Sequence, residues 1–138
     1  MNKLHFSVIA MGLSITFNAM AEETITKEAY KSEKERIEKQ YKLDKAKCKG
    51  LEGNAKDICK AEAKGKEEVA EAELTAKYKP SSKSRYKAHL TKAKADHKIA
   101  KEKCDELTGD PKDVCQKEAE AAMTVAKADA KEQMGVSQ

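Results

Sequence analysis

Two cysteine pairs recur at a fixed interval, and that interval constrains the chain more than any other feature. Displacing the sequence by 56 positions places Cys48 on Cys104 and Cys59 on Cys115. Tyr30 then falls on Tyr86, Leu51 on Leu107, Gly53 on Gly109, Asn54 on Asp110 and Ile58 on Val114. The match continues without a gap through Glu62-Ala63 on Glu118-Ala119, Val69-Ala70 on Val125-Ala126 and Ala72 on Ala128. Self-similarity at one period reads as a duplicated structural unit. Its shared centre is C-x2-L-x-G-[ND]-x-K-D-[IV]-C.

That centre reads as a helix stop followed by a helix start. Gly53 and Gly109 stand where a left-handed residue ends a helix. Asn54 and Asp110 are suited to capping the next one, with Asp57 and Asp113 three residues on, where an acid reaches back and favours the helix dipole. Pro111 falls at the first helical position, the one that tolerates proline. Helices joined by so short a turn run antiparallel as neighbours. Four cysteines allow three pairings. Cys48 lies five residues before Gly53 and Cys59 five after Asn54, so the two sit at equal height on adjacent helices, as do Cys104 and Cys115. The expected disulfides are Cys48–Cys59 and Cys104–Cys115, each stabilising its hairpin by about 3 kcal/mol in the chain-entropy model.

Composition agrees with long helices. Beyond residue 21 there is no Trp and no Phe, and Ala, Lys and Glu dominate. Tyr86, Leu90, Ala93, His97, Ala100, Cys104 and Leu107 form a heptad seam, echoed more weakly by Tyr30, Lys34, Ile37, Tyr41, Asp44, Cys48 and Leu51. The return helices carry smaller seams, Cys115, Ala119, Ala122 and Ala126 in one copy and Cys59, Ala63 and Ala70 in the other. The predicted fold is all-α: two tandem antiparallel, coiled-coil-like helical hairpins, each with a disulfide across its turn. Helices are expected over 24–52, 55–78, 84–107 and 111–134. The predicted organisation is a signal peptide at 1–21, a first hairpin at 22–78, a linker at 79–84, a second hairpin at 85–134 and a tail at 135–138. Proline and serines in Lys79-Pro80-Ser81-Ser82 mark the linker.

The first residues set the expected compartment. Lys3 precedes a mostly apolar run from Leu4 to Phe17, and Ala19-Met20-Ala21 supplies a cleavage site before Glu22-Glu23. This is the layout of a cleavable signal peptide, and the apolar run is shorter than the roughly 20 residues of a membrane span. The expected location is the periplasm, an oxidising compartment that suits disulfides, with no transmembrane span after cleavage.

Catalytic motifs are absent: no G-x-S-x-G, no glycine-rich phosphate loop and no H-E-x-x-H occurs. Ten residues lie between the cysteines of each pair, unlike a C-x-x-C redox motif. The expectation is a non-enzymatic protein with no catalytic residue, cofactor or metal. His89 and His97 share one side of a helix, and His97 with Cys104 would begin a metal set. Zinc, however, needs four converging ligands, and the simpler reading is a half-buried seam histidine matching Tyr41.

Charge is nearly balanced overall, 28 Lys and Arg against 24 Asp and Glu. It is not evenly spread. Between Lys77 and Lys103 ten basic residues face only Asp96 and Glu102, after an acidic stretch from Glu62 to Glu73. Lys77, Lys79, Lys83, Arg85, Lys87, Lys92 and Lys94 are the candidates for docking anionic envelope polymers, lipopolysaccharide or lipid head groups. A solvated face that keeps the protein soluble is the plainer reading. Nucleic acid is disfavoured by the compartment.

The duplicated turn, set in Ala/Lys/Glu helices behind a signal peptide, resembles a group of small exported helical proteins of beta-proteobacteria, some labelled TolA-like by composition. The resemblance spans nearly all of the segment after residue 21. It implies an envelope location and a helical fold, and it supplies no active site. The likeness to TolA itself is compositional only. Three roles follow as expectations. The first is a structural or stress-related envelope protein acting by helix–helix contact with itself or with partner proteins. The second is a module for anionic envelope material, and the third a redox or metal-handling protein.

Overall fold

The computed structural model describes residues 24–136, so the signal expected over residues 1–21 and the last two residues of the expected tail lie outside the described residues. Among the described residues four helices follow one another: α1 (Lys27–Lys47), α2 (Gly53–Tyr78), α3 (Ser82–Cys104) and α4 (Asp110–Val136), with a 3-10 turn at Cys48–Gly50. The fold is all-α. It consists of antiparallel helical hairpins, each closed by a disulfide across its turn.

Local chemistry explains the boundaries. The Thr26 hydroxyl accepts from the Ala29 amide at 3.1 Å and opens α1, while Lys45 and Lys47 favour the dipole at its end. Gly53 and Gly109 have φ of +55° and +65°, the left-handed conformation expected of them. The caps differ from expectation. Asn54 does not cap α2; its side-chain amide donates to the Glu102 carbonyl on α3 at 2.8 Å. Asp57 does not reach back either, and pairs with Lys60 at 3.6 Å. The reciprocal capping box lies instead at the start of α3, between Ser81 and Ser84. Because that box starts α3 at Ser82, only Lys79–Ser81 separates α2 from α3, a shorter break than the expected 79–84 linker.

Helix contacts run only between chain neighbours among the described residues: α1 with α2, α2 with α3, and α3 with α4. The burial pattern shows how. Ala61 and Ala63 are both buried, and so are Ala93 and Ala95. Residues two apart on a helix point about 200° from each other. The inner helices α2 and α3 are therefore covered on two opposite sides, and α1 and α4 on one. The result is a row of helices one layer thick, about 10 Å. The second hairpin does not stack over the first; it continues the row.

Such a layer has no central core. Among the described residues the buried ones are Ile37, Leu74, six alanines, Gly65, Cys48 and Cys104. The α2 and α3 helices meet along small residues, which lets their backbones come close. One close approach is at Gly65 on α2, where an added Cβ would lie 3.1 Å from the Ala95 Cβ and 3.4 Å from the Ile99 Cδ1 on α3. Both disulfides fall at the same end of the layer, joined by the Asn54–Glu102 bond and the Glu62–Lys103 pair at 3.4 Å. At the other end Tyr30 stacks on Tyr78, ring centres 4.5 Å apart, and locks α1 to α2.

Candidate interaction surfaces

The cysteines are placed by their turns. Cys48–Cys59 and Cys104–Cys115 are bonded, each with Cα atoms 5.6 Å apart, and no free cysteine remains among the described residues. Cys48 and Cys104 are fully buried. A buried, bonded sulfur is neither a nucleophile nor a metal ligand as it stands. His97 is half-buried on the α3 side that also carries Ala93 and Cys104, and its Nε2 has no hydrogen-bond partner. His89 is exposed, beside the groove described below. Among the described residues no three His, Cys, Asp or Glu side chains converge as a metal would need.

The basic residues of the 77–103 stretch do not form one patch. Helical geometry divides them between the two faces of the layer. Lys77, Arg85 and Lys92 line a groove of about 360 Å³ near the α2–α3 turn, with Pro80, Ala88 and His89. Lys92 is paired there with Asp96 at 2.6 Å. Lys87 and Lys94 point about 200° away from Arg85 and Lys92 respectively. They line a second groove of about 340 Å³ on the opposite face, with Glu68, Glu71, Thr75 and Thr91. Lys83 falls on the same side of α3 as Lys87. Lys79 sits at the turn, its Nζ 5.7 Å from the Tyr78 ring centre. Lys98 and Lys101 extend the second set, so Lys83, Lys87, Lys94, Lys98 and Lys101 form an exposed stripe along α3 that no acid of α3 interrupts.

Elsewhere the charges answer one another locally. The Lys47 ammonium, and then the Gln40 amide, hold the Asp44 carboxyl below the usual aspartate range. Arg36 does the same to Glu33 through a close bidentate pair. Glu67 raises the Lys64 ammonium above its ordinary value, chiefly by a hydrogen bond of 2.8 Å. The cations of these pairs are exposed and the pairs lie within single helices, so they tune solubility and register more than stability.

Two features escape a reading along the sequence. The α2–α3 contact, built on Ala61, Gly65, Ala95 and Ile99, is a seam of its own. Its signal is the recurrence of small residues at Ala61, Gly65 and Ala72 on the side of α2 away from the cysteine seam. The other feature is exposure on the outer helices. Leu43 on α1 and Val114 and Val125 on α4 are 60%, 54% and 59% exposed. No helix among the described residues is long and apolar enough to cross a membrane. Compared with known proteins, the chain matches no family model, no curated protein and no solved structure.

Proposed function

We propose that this is a non-enzymatic protein of the bacterial envelope that works through contact of its helical surfaces with itself or with partner proteins. The observation that carries the reading is the single layer of helices. A layer leaves two broad faces and two edges for contact, and its outer helices hold exposed Leu43, Val114 and Val125. An enzyme needs a dry concave site with converging groups, and the grooves here are open troughs between helices, lined by charged side chains, alanines and a few other residues such as His89, Val69 and Thr91. Two oxidised cysteine pairs support an oxidising compartment, as does the signal-like segment before Glu22. The test is sedimentation velocity and native mass spectrometry on protein taken from its own periplasm at low salt. A mass above the monomer, or a second protein carried along, is the expected result. A strict monomer carrying nothing refutes the reading.

A second reading, binding of anionic envelope material, is favoured by the five-lysine stripe on α3. It predicts salt-sensitive retention on vesicles rich in anionic lipid.

A further inference from the structure

The exposed apolar residues of the outer helices are not scattered. A shift of 56 positions carries Ile58 to Val114, Gly65 to Ala121, Val69 to Val125 and Ala72 to Ala128. Gly65 and Val69 lie on the side of α2 that meets α3. The same shift carries exposed Leu43 on α1 to Ile99 on α3, which lies against Gly65 of α2. The free edge of α4 is thus the counterpart of the α2 side of an internal interface, and the free edge of α1 the counterpart of its α3 side. Three of the five exposed large hydrophobics stand at these positions; the other two, Leu51 and Leu107, are turn residues.

Charge follows the same rule. Within the molecule Glu62 on α2 pairs with Lys103 on α3 at 3.4 Å. Their counterparts are Glu118 on the α4 edge and Lys47 on the α1 edge, still acid and base. Ala95, which lies against Gly65 and lines one groove with Glu62, has Lys39 as its counterpart, so a second lysine stands on the α1 edge.

We infer that the α4 edge of one molecule docks on the α1 edge of a second copy, repeating the α2–α3 contact between molecules. The inference rests on the helix-contact reading above and names the partner. The contact is head-to-tail, using different surfaces on the two molecules, so each copy can bind one neighbour on either side and the layer extends copy by copy. It is also weak and reversible. Lys117 and Lys39 stand where the internal interface has buried Ala61 and Ala95. Their stems can cover apolar surface, but their ammonium groups must reach water. Lys47 must in addition be shared with Asp44, its present partner at 2.9 Å.

The test is sedimentation velocity of the purified, oxidised protein over a concentration series. The expected wild-type result is a mass that rises with concentration past the dimer. Leu43→Asp blocks the α1 edge and Val125→Asp the α4 edge, each weakening self-association at least tenfold. Both sites are largely exposed, so helicity by circular dichroism stays at the wild-type level. Mixed in equal amounts, the two variants regain a dimer through their one remaining pair of edges and stop there. Glu118→Lys weakens association about fivefold at low salt. A mixture that stays monomeric, or either aspartate variant associating like wild type, overturns the inference. So does a monomeric wild type; if that monomer still leaves the periplasm bound to a different protein, the broader contact reading survives and only the self-partner falls.

Discussion

Gly65 shows how much one missing side chain decides. Its neighbours across the interface are the Ala95 Cβ and the Ile99 Cδ1, and alanine has no flexible end to move aside. Gly65→Leu therefore has to part α2 from α3, at a cost of about 2 kcal/mol, read as a lower denaturation midpoint. Gly135 on α4 makes the opposite case. Nothing lies within 4 Å of an added Cβ there, so Gly135→Ala gains helix propensity, at most about 1 kcal/mol. Asp44 carries a small pH dependence. Its folded carboxyl is held below the ordinary range, first by Lys47 and then by Gln40. The stabilisation it contributes is complete above the unfolded pKa and is lost as pH falls through the lower, folded one. Asp44→Asn should lower Tm slightly at neutral pH and leave it unchanged in acid, so that the acid end of a Tm-against-pH curve is flatter than in the wild type. At this scale the sequence was legible where chemistry is specific to a residue type. Cysteine spacing and left-handed glycine predicted both turns, whereas Asn54 could have capped its own helix or bonded across to α3, and only tertiary placement decides between them.

At the scale of helices, stability rests on pairs that carry little apolar area. The disulfides matter more here than in a protein with a core. Cys48→Ser with Cys59→Ser removes a short closed loop and should cost about 3 kcal/mol, lowering Tm by about 10 °C. Hydrogen exchange would place the loss in α1 and α2, and the second pair would do the same to α3 and α4. The hairpins themselves were legible, because a stop, a start and a cysteine pair fall together in each copy. The α2–α3 pairing was not. Ala61 and Ala63 face opposite neighbours yet are the same residue type, so an alanine-rich helix does not announce which of its sides is covered. The basic stretch misled for a related reason. Read along the chain it is one run, but a helix deals alternate members to opposite faces.

Across the whole molecule, the two faces of the layer differ in charge chemistry, and that difference is testable. Replacing Lys83, Lys87, Lys94, Lys98 and Lys101 by Gln removes the stripe on one face. Replacing Lys77, Arg85 and Lys92 by Gln strips the groove on the other. If anionic surfaces are bound through the stripe, the first variant loses nearly all retention on anionic vesicles at low salt and the second keeps most of it. Equal losses would mean that net charge alone governs the interaction. Neither set should change Tm by more than about 1 kcal/mol equivalent, since exposed charges contribute little to stability.

Each disulfide joins two cysteines that are consecutive in the chain, eleven positions apart. The loops neither overlap nor nest, and this has a consequence for manufacture rather than for form. On a chain that emerged N-terminus first into an oxidising compartment, Cys48 would meet Cys59 before Cys104 had emerged, and Cys104 would then meet Cys115 with the first two already taken. An oxidant acting in order of emergence makes the correct bonds by timing alone, and the wrong pairings never have to be undone.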